Sequence, residues 1–294
     1  MRHNLRLGRA DRRGAFRTAA VTAIATPAGG VWIARDPSEF IPFVGTGLGR
    51  ALWAAVVPWT FYIALELYVR RVWPEMLIGW SRLISGRIRD PLVGRDLLVG
   101  IIGGVATSIL VHLRILVPGW IGLATPSPLG SEGTRAEFLL TLANGGVPVA
   151  ALPFSVTNGL FIGLLSAVTL VLLTMLLRGR RRAAVAWVVI WTLSNQVASP
   201  GDPIADLAYK AVVFTIGIVL LVRFGLLPSV VHLITTNLLT VIELRFDSVA
   251  PYSAGAYVLV GAVALLALYG FHTALAGRAV LGTVLLKEGP SVSR

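Results

Sequence analysis

Apolar residues run through this chain in long unbroken stretches, and charge is confined to the gaps between them. Uncharged or nearly uncharged windows lie at about 18–34, 51–69, 97–117, 158–177, 183–199, 207–222, 227–243 and 253–272. Crossing a ~30 Å hydrocarbon core takes about 20 residues, with a range of about 17–25. Most of the windows meet that length, and the shorter ones borrow flanking residues. Inside a bilayer each segment must satisfy its own backbone hydrogen bonds, which a helix does without neighbours. The pattern therefore predicts an all-α polytopic membrane helix bundle of about eight transmembrane helices. A basic segment, residues 1–17, precedes the bundle at 18–277, and a tail at 278–294 follows it.

Charge tests the alternation. Eight passes leave all but six of the 26 Lys and Arg on one side; the six are Arg35, Arg50, Arg114, Arg135, Lys210 and Arg245. Basic residues accumulate on the cytoplasmic side of short loops. Both termini are therefore expected in the cytoplasm.

Composition agrees with this picture. The chain is 55% hydrophobic and 14% charged, with mean hydropathy +0.78, where soluble domains carry about 25% charged residues. A net charge of +12 would suit nucleic acid, but here the arginines cluster in particular loops, which points to a membrane surface instead. No nucleic-acid partner is expected. The absence of cysteine excludes disulfides, thiolate metal sites and thiol nucleophiles.

Two loops stand out. On the far side, 118–157 contains the apolar but interrupted stretch 138–157, with Gly145, Gly146, Pro148 and Pro153. A broken segment cannot face lipid with unpaired backbone, so a re-entrant or interfacial segment is expected there. On the cytoplasmic side, 70–96 is rich in arginine. Trp73, Met76, Leu77, Trp80, Leu83, Ile84 and Ile88 fall within an arc of about 140° at helical spacing, with Arg82 and Arg89 opposite. This predicts an interfacial amphipathic helix lying among the headgroups, opened by Pro74 and ended by Pro91, with a turn at Gly94. "RDPLVGRD" then places Arg-Asp pairs at 89–90 and 95–96. Simple anchoring does not need arginines neutralised by neighbouring aspartates. Arg82, Arg87, Arg89, Asp90, Arg95 and Asp96 are therefore the candidate face for membrane lipid or a soluble partner.

The stretch "ALELYVRRVWPEMLIGWSRL" (Ala64–Leu83) and its continuation resemble the C-terminal multi-span membrane region of bacterial membrane-anchored serine/threonine protein kinases. "NLRLGRADRRGAFR" (Asn4–Arg17), "LVRFGLL" (Leu221–Leu227) and "LYGFHTALAGR" (Leu268–Arg278) extend the likeness almost end to end. The resemblance implies a sensory or anchoring module of the bacterial cytoplasmic (inner) membrane. It implies a kinase domain or other soluble signalling protein as partner. The kinase domain itself is absent from this sequence, so the catalytic role does not carry over. Because Asn4–Arg17 matches mid-chain in those kinases, a fragment of a longer kinase or a split gene is one expectation.

The sequence holds no catalytic constellation. "GTGLGR" (Gly45–Arg50) follows no strand, and there is no phosphate-binding loop or metalloprotease motif. His3, His112, His232 and His272 have no metal-ligand spacing, so neither metal nor cofactor is expected. Within the seventh window His232, Thr236, Thr240 and Glu243 share one helical face, with Asn237 beside them. Ionisable groups at membrane depth are costly and often functional, so these five residues form a candidate polar path. The other reading is hydrogen bonding between helices. Small-xxx-small patterns at Gly100–Gly104 and Gly159–Gly163 suit close helix packing. Three functions stay open: the sensory or anchoring module, a small-solute transporter or channel, and, least supported, an intramembrane enzyme.

Overall fold

A computed structural model describes residues 12–31, 49, 52–53, 55–66, 68–69, 73–120, 122, 151–195, 203–241 and 253–276. Among the described residues every regular element is helical. In chain order they are α1 (Arg12–Val31), α2 (Ala55–Glu66), a 3-10 turn (Pro74–Leu77), α3 (Ile78–Ile84), α4 (Pro91–Trp120), α5 (Ala151–Leu177), α6 (Arg180–Ser194), α7 (Pro203–Phe224), α8 (Leu226–Val241) and α9 (Ser253–Ala274).

Among the described residues four helices are long and apolar enough to cross a membrane: Pro91–Arg114, Ala151–Leu177, Ile204–Phe224 and Tyr257–Ala274. Their outward faces are apolar. On α4, Ile102, Val105, Ile109, Leu113 and Leu116 are exposed at helical spacing, and the shorter α6 shows the same pattern in Val185, Val189 and Leu193. A surface of this kind suits lipid rather than water. The remaining expected spans are helical where described, but shorter or less apolar. α6 has 15 residues, and α8 has 16, or about 24 Å at 1.5 Å per residue. The 20 residues of α1 include Arg12, Arg13 and Arg17.

α8 is the hub. It packs against α4, α5, α7 and α9, and Leu226 through His232 are buried without a break. Glycines let the neighbours approach. A Cβ on Gly104 would lie 2.4 Å from Thr235 Cβ, and one on Gly159 would lie 2.6 Å from Ile234 Cγ1. Both small-residue patterns therefore sit in helix crossings, where packing rather than hydrophobic transfer holds helices together.

Contacts between ends show that the helices alternate in direction. At one end, Tyr269 of α9 donates to the Ile88 carbonyl at 2.8 Å, and Arg17 of α1 donates to that of Ile84. There Arg180, opening α6, lies 4.3 Å over the Trp73 ring. Gly225, with φ +101°, turns α7 into α8 where a Cβ would stand 2.7 Å from the Met76 carbonyl; the left-handed conformation and the close approach both call for glycine. At the opposite end Arg114, Asn195, Asp206 and Lys210 meet.

The structure corrects several boundaries. Residues 151–157, expected in a re-entrant segment, are the first turns of α5. Pro153 is tolerated there because the first amides of a helix have no acceptor within it. The third helix begins at Pro91 and reaches Trp120, so 118–120 also leave the expected loop. Pro91 opens α4 rather than closing an earlier helix, and Gly94 is not a turn. It is pressed against α9, where a Cβ would come 2.7 Å from the Gly270 carbonyl. The expected interfacial helix is a 3-10 turn plus seven residues, ending at Ser85 and Gly86. Trp73, Met76, Leu77 and Trp80 of its apolar arc are buried against protein, whereas Ile88 is exposed. Residues 138–150, Glu243, the N-terminal arginines before Arg12, Arg70 and the tail beyond 276 lie outside the described residues.

Candidate functional site

The arginine-rich end is built on the start of α4. Asp90 precedes Pro91 and caps the helix: its Oδ1 accepts the Leu92 amide at 2.9 Å. Both carboxylate oxygens also accept Arg82 Nη1 at 2.8 Å. Partial enclosure works against the Asp90 charge, but the Leu92 amide and the Arg82 guanidinium, with Arg87 nearby, outweigh it. The carboxyl is thus held below its ordinary value.

One turn on, Asp96 is only 1% exposed, while Arg95 reaches round to donate to its Oδ1 from Nε at 3.1 Å and Nη2 at 2.8 Å. Asp96 lies under α3. Gly79 is the residue above it, and a Cβ there would come 2.1 Å from Asp96 Oδ2. Trp73, Glu75, Gly79, Arg82, Arg95, Asp96 and Arg223 are among the residues lining a cavity of about 310 Å³ at this edge. Four of the six expected site residues (Arg82, Asp90, Arg95, Asp96) thus form one connected group. Arg87 and Arg89 are exposed beside it. Arg223 was not foreseen as part of it: it closes α7, far away in sequence, and only the α7–α8 turn brings it here.

The expected polar path on α8 disperses between helices. His232 Nε2 is 2.9 Å from Thr107 Oγ1 on α4, and Thr236 donates to the Gly104 carbonyl at 3.4 Å. Asn237 Nδ2 donates to Asn158 Oδ1 on α5 at 2.9 Å. Thr240 returns to the Thr236 carbonyl of its own helix at 2.8 Å. The partners Thr107 and Asn158 carry no sequence signal that sets them apart from the polar residues beside them, Ser108 and Thr157, because spacing along one helix does not say which residue faces α8. His232 Nδ1 is buried and has no hydrogen-bond partner among the described residues. It belongs to a residue lining an interior cavity of about 90 Å³, with Ser166, Trp187, Trp191 and Phe214 also in its wall. The three rings pack together, with Trp187 and Trp191 stacked at 5.3 Å between centroids. Trp187 Nε1 donates to the Ser166 carbonyl at 3.2 Å.

At the opposite end Asp206 and Lys210, four residues apart on α7, pair at 2.7 Å. Arg114 joins it, 2.5 Å from the other carboxylate oxygen, and Lys210 also donates to the Asn195 carbonyl at 2.5 Å. The Asp206 carboxylate therefore ties α4 to α7, and Lys210 extends the tie to the end of α6. Among the described residues no group of His, Asp and Glu has the arrangement of a metal site.

No protein-family model matches this chain, and neither a curated protein nor a solved structure matches it.

Proposed function

We propose that this chain is a multi-pass anchoring or sensory module of a bacterial cytoplasmic membrane. Its arginine-rich end faces the cytoplasm and meets phospholipid headgroups or a soluble signalling partner. The observation that carries this reading is the unequal fate of the cations at the two ends. Arg114 and Lys210 are spent on Asp206. Arg87, Arg89, Arg181, Arg182 and Arg223 have no ion-pair partner among the described residues. Unspent arginines beside an anionic leaflet contribute about 1 kcal/mol each. The eight-pass arrangement belongs to the same proposal. It is supported by the alternating helix directions and by α8, which is surrounded by protein and need not match the bilayer thickness. The partner suggested by the family resemblance is a serine/threonine kinase domain.

The chain has no cysteine, which makes the test direct. Single substitutions Ser85→Cys and Asn195→Cys mark exposed positions at the two ends. A membrane-impermeant maleimide should label them from opposite sides of sealed vesicles, Ser85→Cys from the cytoplasmic face. Labelling of both from one side refutes the proposal.

A second reading, a small-solute carrier, is favoured by the interior cavity with the unpartnered His232 nitrogen. Interrupted and polar helices frame such sites in transporters. Ser166→Cys separates the two: rapid modification by a small water-soluble thiol reagent supports a carrier, and protection supports a dry anchoring bundle.

A further inference from the structure

The cavity at the arginine-rich end carries more than positive charge. Of its three arginines, Arg82 is committed to Asp90 and Arg95 to Asp96. Only Arg223 has no carboxylate partner among the described residues. The cavity also holds carboxylate oxygens with no partner among the described residues. Asp96 gives Oδ1 to Arg95, but no hydrogen bond to its Oδ2 is present among the described residues. Glu75, on the rim, has none either. Three cations face three anions once Asp90 is included, so a simple anion gains little. It meets one uncommitted guanidinium and a buried carboxylate that repels it. A ligand with one negative and one positive group uses both uncommitted partners. The depth of the cavity restricts the source: it lies where the apolar faces of α4 and α7 end, among Leu92, Val222 and Phe224, which is headgroup level for a helix that spans.

We infer that this cavity binds the headgroup of a zwitterionic phospholipid bearing a primary ammonium, a phosphoethanolamine diester. Arg223 takes the phosphate, and Asp96 Oδ2, assisted by Glu75, takes the ammonium. A primary ammonium presents three N–H donors to a carboxylate, whereas a quaternary choline presents none. An uncharged glycerol headgroup offers hydroxyls but no charge to set against Asp96. The site therefore selects ethanolamine over both. Gly79 belongs to the same device, because any side chain there would occupy the space over Asp96 Oδ2.

This inference rests on the membrane reading above, and its test separates the two. The full chain is purified in detergent, stripped of lipid and examined by native mass spectrometry with equal amounts of phosphatidylethanolamine, phosphatidylcholine and phosphatidylglycerol. Phosphatidylethanolamine should be retained about tenfold over the other two, the factor that one charge-assisted hydrogen bond supplies. Asp96→Asn should abolish the preference over phosphatidylcholine, and Arg223→Gln should weaken retention of all three. Equal retention of the three lipids overturns the proposal, as does a preference that survives Asp96→Asn. Should Asp96→Asn not fold, Glu75→Gln and Arg223→Gln, both at exposed positions, keep the question open to refutation: unchanged retention in the double variant overturns the site. Soluble glycerophosphoethanolamine should bind at least about tenfold more weakly than the lipid; equal binding makes the ligand a free phosphodiester and overturns the lipid assignment. Two-sided cysteine labelling without ethanolamine selectivity removes this site and leaves the anchoring module intact.

Discussion

Asp206 holds the end of the bundle opposite the headgroup site, and removing its charge should cost more than any surface change. Its side chain is 5% exposed and faces Lys210, 11% exposed, and Arg114, 25% exposed. Asp206→Asn keeps the shape but removes the charged carboxylate that both cations share. Breaking a buried ion pair by removing one partner costs about 3–5 kcal/mol, because the remaining charge stays desolvated. Arg114 is a quarter exposed and also lies 5.2 Å over the Tyr209 ring, so the penalty falls chiefly on Lys210 and the lower figure applies. About 3 kcal/mol at roughly 2 °C per kcal/mol lowers the unfolding midpoint by about 6 °C. The eight tryptophans of the chain provide the fluorescence signal for a thermal scan in detergent. The gap between wild type and variant should be nearly the same in low and high salt, since buried pairs are poorly screened. Lys210→Met should soften the loss in the Asp206→Asn background by removing the stranded ammonium. A shift below 1 °C, or one that vanishes in salt, would show that these charges are solvated and that the three-helix tie does not exist.

Two further outcomes follow from the other end and from the core. Gly104→Leu should separate α4 from α8, because even a Cβ there would lie 2.4 Å from Thr235 Cβ and 2.9 Å from the His232 carbonyl; a loss of about 1–3 kcal/mol is expected, and an unchanged midpoint would contradict the close crossing. Asp90→Asn keeps the cap, since asparagine caps as well as aspartate, but loses the ion pair with the part-exposed Arg82 and should cost about 0.5–1 kcal/mol. The sign of its pH dependence follows from the folded carboxyl lying below the ordinary value of 3.8. The Asp90 contribution is fully present above that value and is lost as pH falls through the lower folded one. Wild type and Asp90→Asn should therefore converge in acid; a gap that stays constant down to full protonation would refute the ion pair with Arg82.

The linear sequence determined the class of protein and most of the helix positions. Uncharged runs of spanning length and arginines gathered in alternate gaps are local properties, and the bilayer acts on them one segment at a time. The pairs that were legible, Asp206 with Lys210 and Asp96 with Arg95, are close neighbours in sequence. The tertiary structure decided what those residues meet. The apolar arc of residues 73–84 is spent on the bundle, because the α7–α8 turn offers it a protein surface, and hydrophobic periodicity does not distinguish lipid from protein. Arg114 reaches Asp206, His232 reaches Thr107, and Asn237 reaches Asn158 across helices that no periodicity connects. Arg223 enters the cavity beside Asp96 only because α7 ends where α4 begins. Charge spacing along a chain reports which side of a membrane a residue occupies, whereas the balance of committed and uncommitted charges in a cavity is set by helix packing alone.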